Sequence, residues 1–294
     1  MPDSRPQFSN PYADLSSFAS SPLVYSWHSG DEEMVIRHAL DRFHTEKVGF
    51  AIEIGAGAGR LSHTLAPYTH RLLVTDPSPA VLQAEFEDRA FTETEVVRAL
   101  GTGESVINSQ VIASASIVAS YWSLTYELQH GYDLRRDGDG RLHADDAGGE
   151  AHLQRILAGL LRPGVEPRTN VHLFFDPASP EQEWVSKIWR RYVGAIPGGS
   201  RDYCNSRFLE AIVSAPTARE LLTDRLSGTL MCVDLEHLKR VFLENHLRNL
   251  ISPKDREEVI EDLALTMETW RSGGGYEVPA SAYCVSFELR RALL

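Results

Sequence analysis

The 294-residue sequence predicts an α/β fold, a mostly parallel sheet wrapped by helices. Short apolar runs ending in glycine or aspartate alternate with helical segments, the order that a parallel sheet requires. Three glycines at alternate positions, Gly55, Gly57 and Gly59, follow the first of these runs directly. After a long helical stretch the chain closes on another strand-like segment, so the helices before it are read as inserted into, or laid over, one domain.

Residues 1 to 30 mix Ser, Pro, Asn and aromatic residues without a sustained period and read as an irregular arm. Ser29 or Asp31 caps a following helix in which Met34, Val35, His38, Ala39, Leu40 and Phe43 recur at helical spacing. "VGFAIEI" (48 to 54) has the look of a buried parallel strand, "RLSHTLAPY" of a helix and "HRLLVTD" (70 to 76) of a second strand. "SPAVLQAEFEDRAF" carries Pro near its first turn, where proline costs least, and reads as a helix. "ETEVVRAL", "SIVASYW" (116 to 122) and "NVHLFFD" (170 to 176) read as strands three to five. Between the last two, the polar stretch 131 to 149 reads as a surface loop, followed by the helix "EAHLQRILAGLL". From 180 onward "EQEWVSKIWRRYV", "RFLEAIVSA", "TARELLTDRL", "DLEHLKRVFLENHL" and "KDREEVIEDLALTMETWR" all read as helices. The closing "AYCVSFELRRAL" alternates Tyr283, Val285 and Phe287 with smaller or polar residues, as a strand does.

A composition of 43% hydrophobic and 24% charged residues is that of an ordinary globular protein. No window approaches the roughly 18 uninterrupted apolar residues that a membrane span needs. The polar start "MPDSRPQFSN" does not read as a signal peptide, so a cytoplasmic location is expected. A net charge of −12 disfavours nucleic acid and anionic membranes as partners, because both select clustered positive charge. Cys204, Cys232 and Cys284 lie too far apart for a CxxC site and read as small buried residues. In "DLRRDGDGRLHADD", aligning Gly140 with the obligatory glycine of a calcium loop puts Arg135 at the first ligand position, which a cation cannot accept. His143, Asp145 and Asp146 lack the spacing of a helical zinc site, so no metal is expected.

The glycine run admits several ligands. A phosphate-binding loop requires Lys and then Ser or Thr after its last glycine, and Arg60-Leu61 excludes it. A dinucleotide site requires G-x-G-x-x-G; here the spacing is one residue shorter and Arg60 stands where the third glycine belongs, which weakens that reading. A bare turn, with Asp76 only capping the next helix, is the remaining alternative.

"AIEIGAGAG", with Asp76 closing the next strand 17 residues after Gly59, resembles the first two motifs of class I S-adenosylmethionine (SAM)-dependent methyltransferases. The resemblance is strongest over 48 to 82 and extends to 176, where "VASYWSLTYEL" is similar to the family's fourth motif and "LLRPGVEP" to the turn before its fifth strand. It implies a Rossmann-like, mostly parallel seven-stranded sheet flanked by helices, with an N-terminal lid (1–45), a SAM-binding core (46–179), a helical insertion or substrate cap (180–272) and a closing strand (273–294). It also implies SAM as cofactor, held by Glu53, Gly55, Ala56, Gly57, Gly59, Asp76 and Pro77, by Thr102 and Gly103 near the adenine, and by Ser120 beside the methionine. Glu104 is a further adenine candidate, since the Gly-Asp usual in the family is absent from "ALGTGES".

The activity so implied is methyl transfer (EC 2.1.1) to a small-molecule acceptor, an intermediate of specialised metabolism. Such a displacement chiefly needs the acceptor held in line behind the methyl group. "SYWS" is unlike the Asp/Asn-Pro-Pro-aromatic pattern of enzymes that methylate DNA amino groups, in keeping with the acidic charge. Tyr12, Phe18, Tyr25, Trp27 and His28 supply an aromatic lid, and Trp122, Tyr126 and His130 are expected across the sheet edge. His28, Tyr121 and Tyr126 are the catalytic candidates; His28 reads either as a base or as a surface or capping histidine, and Tyr121 either as catalytic or as packing under the cofactor. A homodimer is compatible with the sequence. The alternative function is a methyltransferase-like fold catalysing cyclisation or isomerisation without net methyl transfer.

Overall fold

The computed structural model describes residues 31–57, 59–79, 82, 91–121, 123–124, 133–136, 142–162, 168–175, 183–188, 191–192, 208–232, 235–236, 255–272 and 275–290. Helix α1 (Asp31–Phe43) leads into strand β1 (Val48–Ile54), helix α2 (Arg60–Leu65), β2 (Thr69–Asp76), β3 (Glu95–Leu100), the short helix α3 (Gly103–Ile107) and β4 (Ile117–Tyr121). There follow β5 (Asp133–Arg136), β6 (Leu142–Asp145), α4 (Asp146–Leu160), β7 (Arg168–Phe175), α5 (Glu183–Ile188), β8 (Ala218–Cys232), α6 (Arg256–Glu268), β9 (Arg271–Ser272) and β10 (Gly275–Arg290).

The main sheet runs β3-β2-β1-β4-β7-β10-β8, seven strands in line, with the two-residue β9 paired to β10. Strands β1, β2, β3, β4 and β7 are mutually parallel and β10 is antiparallel to both β7 and β8. Side chains alternate across the sheet, which therefore has two cores. On one face Ile52, Ile54, Val118, Val171, Leu173, Val285 and Phe287 meet Ile107 of α3 and Ile156, Leu157 and Leu160 of α4. On the other, Ala51, Leu72, Val74, Ile117 and Ala119 meet Ile36, Ala39 and Leu40 of α1 and Leu61 and Leu65 of α2. The buried seam of α1 therefore runs through Ile36, Ala39 and Leu40, while His38, read as part of that seam, is exposed. Cys284 is buried, as expected of a small apolar residue.

Two further expectations need correction. "TARELLTDRL" is part of strand β8, not a helix, so residues 180–272 contribute to the core sheet itself. Its helix-favouring residues are overridden by an antiparallel ladder to β10 that runs from Tyr276–Cys232 to Leu289–Ala218. The ladder slips at Ser286/Glu288, opposite Glu220, whose φ of 50° marks a bulge. The second correction lies in 131–149, where β5 and β6 pair as an antiparallel hairpin and α4 begins at Asp146.

Candidate functional site

The five parallel strands end at one edge of the sheet. Because β2 lies on one side of β1 and β4 on the other, the end of β1 is the switch point of the sheet, the place beyond which open α/β sheets bind their ligands. The glycine run follows directly from that strand end. Gly55, Gly57 and Gly59 all have left-handed backbones, with φ of 68°, 49° and 68°, a region that a side chain makes costly.

The three glycines serve different ends. A Cβ on Gly55 would stand 2.1 Å from Cβ of Ser123, so the chain following β4 needs this position bare. Among the described residues a Cβ on Gly57 would meet nothing within 4 Å, so none of them closes the space above that backbone. Gly59 caps α2 and donates its N–H to the Ala56 carbonyl at 2.9 Å. Ala56, itself buried, donates to the Thr75 carbonyl at 2.9 Å, which ties the loop to the end of β2.

Asp76 ends β2 beside this loop. Its Oδ2 accepts the Gly57 N–H at 3.0 Å and its Oδ1 accepts the Ser78 N–H at 2.8 Å. Burial pushes the carboxyl above its ordinary value, and these two N–H donors oppose the shift by favouring the charged form. Each oxygen keeps a free lone pair, so the group can still accept two hydroxyls. Pro77 lies exposed beside it. Glu53 is fully buried below the loop and accepts the Ser62 hydroxyl, which holds the first turn of α2 against β1.

On the β3 side, Gly101 donates its N–H to the Asp76 carbonyl at 3.2 Å, so residues 101 to 103 flank the aspartate. Thr102 caps α3 by accepting the Ser105 N–H at 3.2 Å, and Gly103 is buried. The Glu104 carboxylate turns instead to α4, where Arg155 reaches it at 3.1 Å and His152 at 3.6 Å. On the β4 side, Ser120 is buried and its hydroxyl lies 2.8 Å from that of Ser123. Tyr121 is half-buried and packs against the α1 and α2 core. Ser123 is the residue beside the loop that sequence reasoning missed: it lies within "VASYWSLTYEL" without a role assigned to it, and only the crowding at Gly55 gives it away. His28 and Tyr126, with Tyr12, Phe18, Tyr25, Trp27, Trp122 and His130, lie outside the described residues.

No protein-family model matches the chain, and no curated protein matches it. Solved structures do. The YcgJ protein from Bacillus subtilis is similar with a TM-score of 0.51 at 14% identity, over 88% of this chain and 100% of that one. The N-methyltransferase NodS from Bradyrhizobium japonicum WM9, solved in complex with S-adenosyl-L-homocysteine, is similar with a TM-score of 0.50 at 12% identity, over 96% of this chain and 100% of that one. Strand order, the antiparallel β10 and these likenesses agree on one architecture: the chain has the Rossmann-like fold of class I SAM-dependent methyltransferases.

Proposed function

We propose that the protein is a SAM-dependent methyltransferase with a small-molecule acceptor, an intermediate of specialised metabolism. The observation that carries the reading is the pairing of Gly57 and Asp76. A bare left-handed backbone, with no described residue over it, stands 3.0 Å from a strand-end carboxylate whose oxygens each retain an acceptor site. That combination suits a nucleoside whose ribose offers two hydroxyls. Gly57 and Asp76 would hold the ribose, Pro77, Thr102 and Gly103 the adenine side, and Gly55, Ala56 and Ser120 the methionine side. SAM supplies an electrophilic methyl group on a sulfonium, so the protein's own task is to hold the acceptor in line and dry. His28 and Tyr126 are the residues we assign to the acceptor side, with Tyr121 beneath.

The net charge of −12 supports a small acceptor over a polyanionic one. Among the described residues no helix is long and apolar enough to cross a membrane. The test is incubation with methyl-labelled SAM and a cell extract, followed by separation by mass. Label is expected in the low-mass fraction, together with S-adenosylhomocysteine. Label in the protein or nucleic-acid fraction contradicts the assignment, as does conversion of an acceptor without loss of SAM.

A further inference from the structure

We infer that Ser123 is a positioning residue that locks the β1–α2 glycine loop to the end of β4, and so sets the cofactor site without touching the cofactor. The inference rests on the function proposed above. The last register pair between β1 and β4 is Ile54 with Ser120; beyond it the two strands have no ladder to hold their ends together. Ser123 supplies the missing link, because its hydroxyl donates to the Ile54 carbonyl at 2.6 Å. A carbonyl can only accept, so the single Ser123 proton is committed to it. The 2.8 Å contact between the two serines is therefore donated by Ser120, and the chain of bonds runs in one direction, from Ser120 to Ser123 to Ile54.

Steric fit strengthens the link. The Ser123 side chain occupies the volume that any side chain on Gly55 would need, with 2.1 Å to the hypothetical Cβ. It thus touches the loop twice, by its hydroxyl at residue 54 and by its Cβ at residue 55. The peptide plane that starts the left-handed run is held from the β4 side, and the Gly57 N–H is thereby aimed at Asp76, 3.0 Å away. Loss of the hydroxyl frees the Ser120 hydroxyl as well, since its acceptor is gone. The two serines should then act as one unit.

The test is a double-mutant cycle of Ser123→Ala and Ser120→Ala, read as S-adenosylhomocysteine affinity by calorimetry, well below the melting temperature of every variant. Ser123→Ala is expected to weaken binding about tenfold, the size of one well-placed hydrogen bond with its buried partner left unpaired. Ser120→Ala, which also removes a side chain assigned to the methionine side, should cost several-fold less in the Ser123→Ala background than in the parent, because the link it makes there is already broken. Should Ser123→Ala fail to fold, Ser123→Cys keeps the volume while weakening the donor, and the same affinity loss is expected. Affinity within twofold of the parent in the folded Ser123 variant, or losses that multiply across the cycle, overturns the inference. A parent protein that does not bind S-adenosylhomocysteine overturns the proposed function itself, and this inference with it.

Discussion

Gly55 and Gly57 look alike in sequence and in backbone angle, yet their surroundings differ. Both are left-handed, but Gly55 faces Ser123, and Gly57 faces none of the described residues within 4 Å. Gly57→Ala should cost about 1 kcal/mol of stability, the strain of a left-handed alanine. Gly55→Ala adds a collision with Ser123 to the same strain and should cost about 3 kcal/mol or more. Denaturant midpoints of the two variants check this, and equal losses would show that crowding at Gly55 is relieved cheaply. Affinity should fall in both. At this scale the sequence was only partly legible: glycine spacing and Asp76 pointed to the left-handed loop and the strand-end carboxylate that we propose hold a nucleoside, since backbone demands leave compositional traces. Ser123 lay inside "VASYWSLTYEL" but was given no role there, because a serine two residues past a strand has no pattern of its own until the fold brings it to residue 54. The Glu104 carboxylate was likewise unreadable, being claimed by α4, some fifty residues on.

At the scale of elements, the strands β1, β2, β3, β4, β7 and β10 were readable from apolar runs and their terminators. The seventh, β8, was not. "ARELLTDRL" is rich in helix formers, and it is a strand because β10 offers it a partner along its whole length. Among the described residues the ladder to β7 covers Tyr283 to Arg290, while the β8/β10 ladder continues from there to Tyr276. Pro279 lies in that extension, where among the described residues β10 pairs with β8 alone and a missing N–H costs no second ladder. Helices α3 and α4 meet at another position where bareness matters. A Cβ on Gly159 would stand 2.4 Å from Cγ2 of Ile107 and 3.2 Å from its carbonyl oxygen. Helix propensity alone favours Gly159→Ala by about 1 kcal/mol. The collision should outweigh it and leave the variant about 1 to 2 kcal/mol less stable. Ile107→Ala should then cost less in that background than in the parent, and a stabilised Gly159→Ala would contradict the close packing.

For the whole molecule, two buried histidines among the described residues make stability depend on acid. His44, just after α1, and His172 on β7 are buried with their Nε2 atoms 3.4 Å apart; His172 also contacts Ser286 at 2.9 Å, and the Asn170 amide lies 3.4 Å from His44. Burial lowers the pKa of His44 to about 4, and burial together with its histidine neighbour lowers that of His172 to about 3. Both values lie below the ordinary 6.5, so the unfolded chain binds protons that the native state refuses. Stability is therefore full above about pH 6.5 and falls as the pH drops from there towards 4. The slope is about 1.4 kcal/mol per pH unit for each histidine. Asp76, whose raised carboxyl favours the proton in the native state, acts with the opposite sign and only at the acidic end. Urea unfolding from pH 7.5 to 4.5 should show this loss, and His44→Gln should reduce the slope by about half; an unchanged slope would contradict the assignment.

Calorimetric titration of S-adenosylhomocysteine into the intact protein measures directly whether Gly57 and Asp76, at the switch point between β1, β2 and β4, bind a SAM-type nucleoside. One saturable site is predicted, with a rise in melting temperature that grows with ligand concentration. Asp76→Asn should lower the affinity at least about tenfold while leaving the protein folded, because an amide loses the charge that favours both ribose hydroxyls. No binding heat and no thermal stabilisation at millimolar ligand would show that Gly57 and Asp76 do not form a SAM-type site.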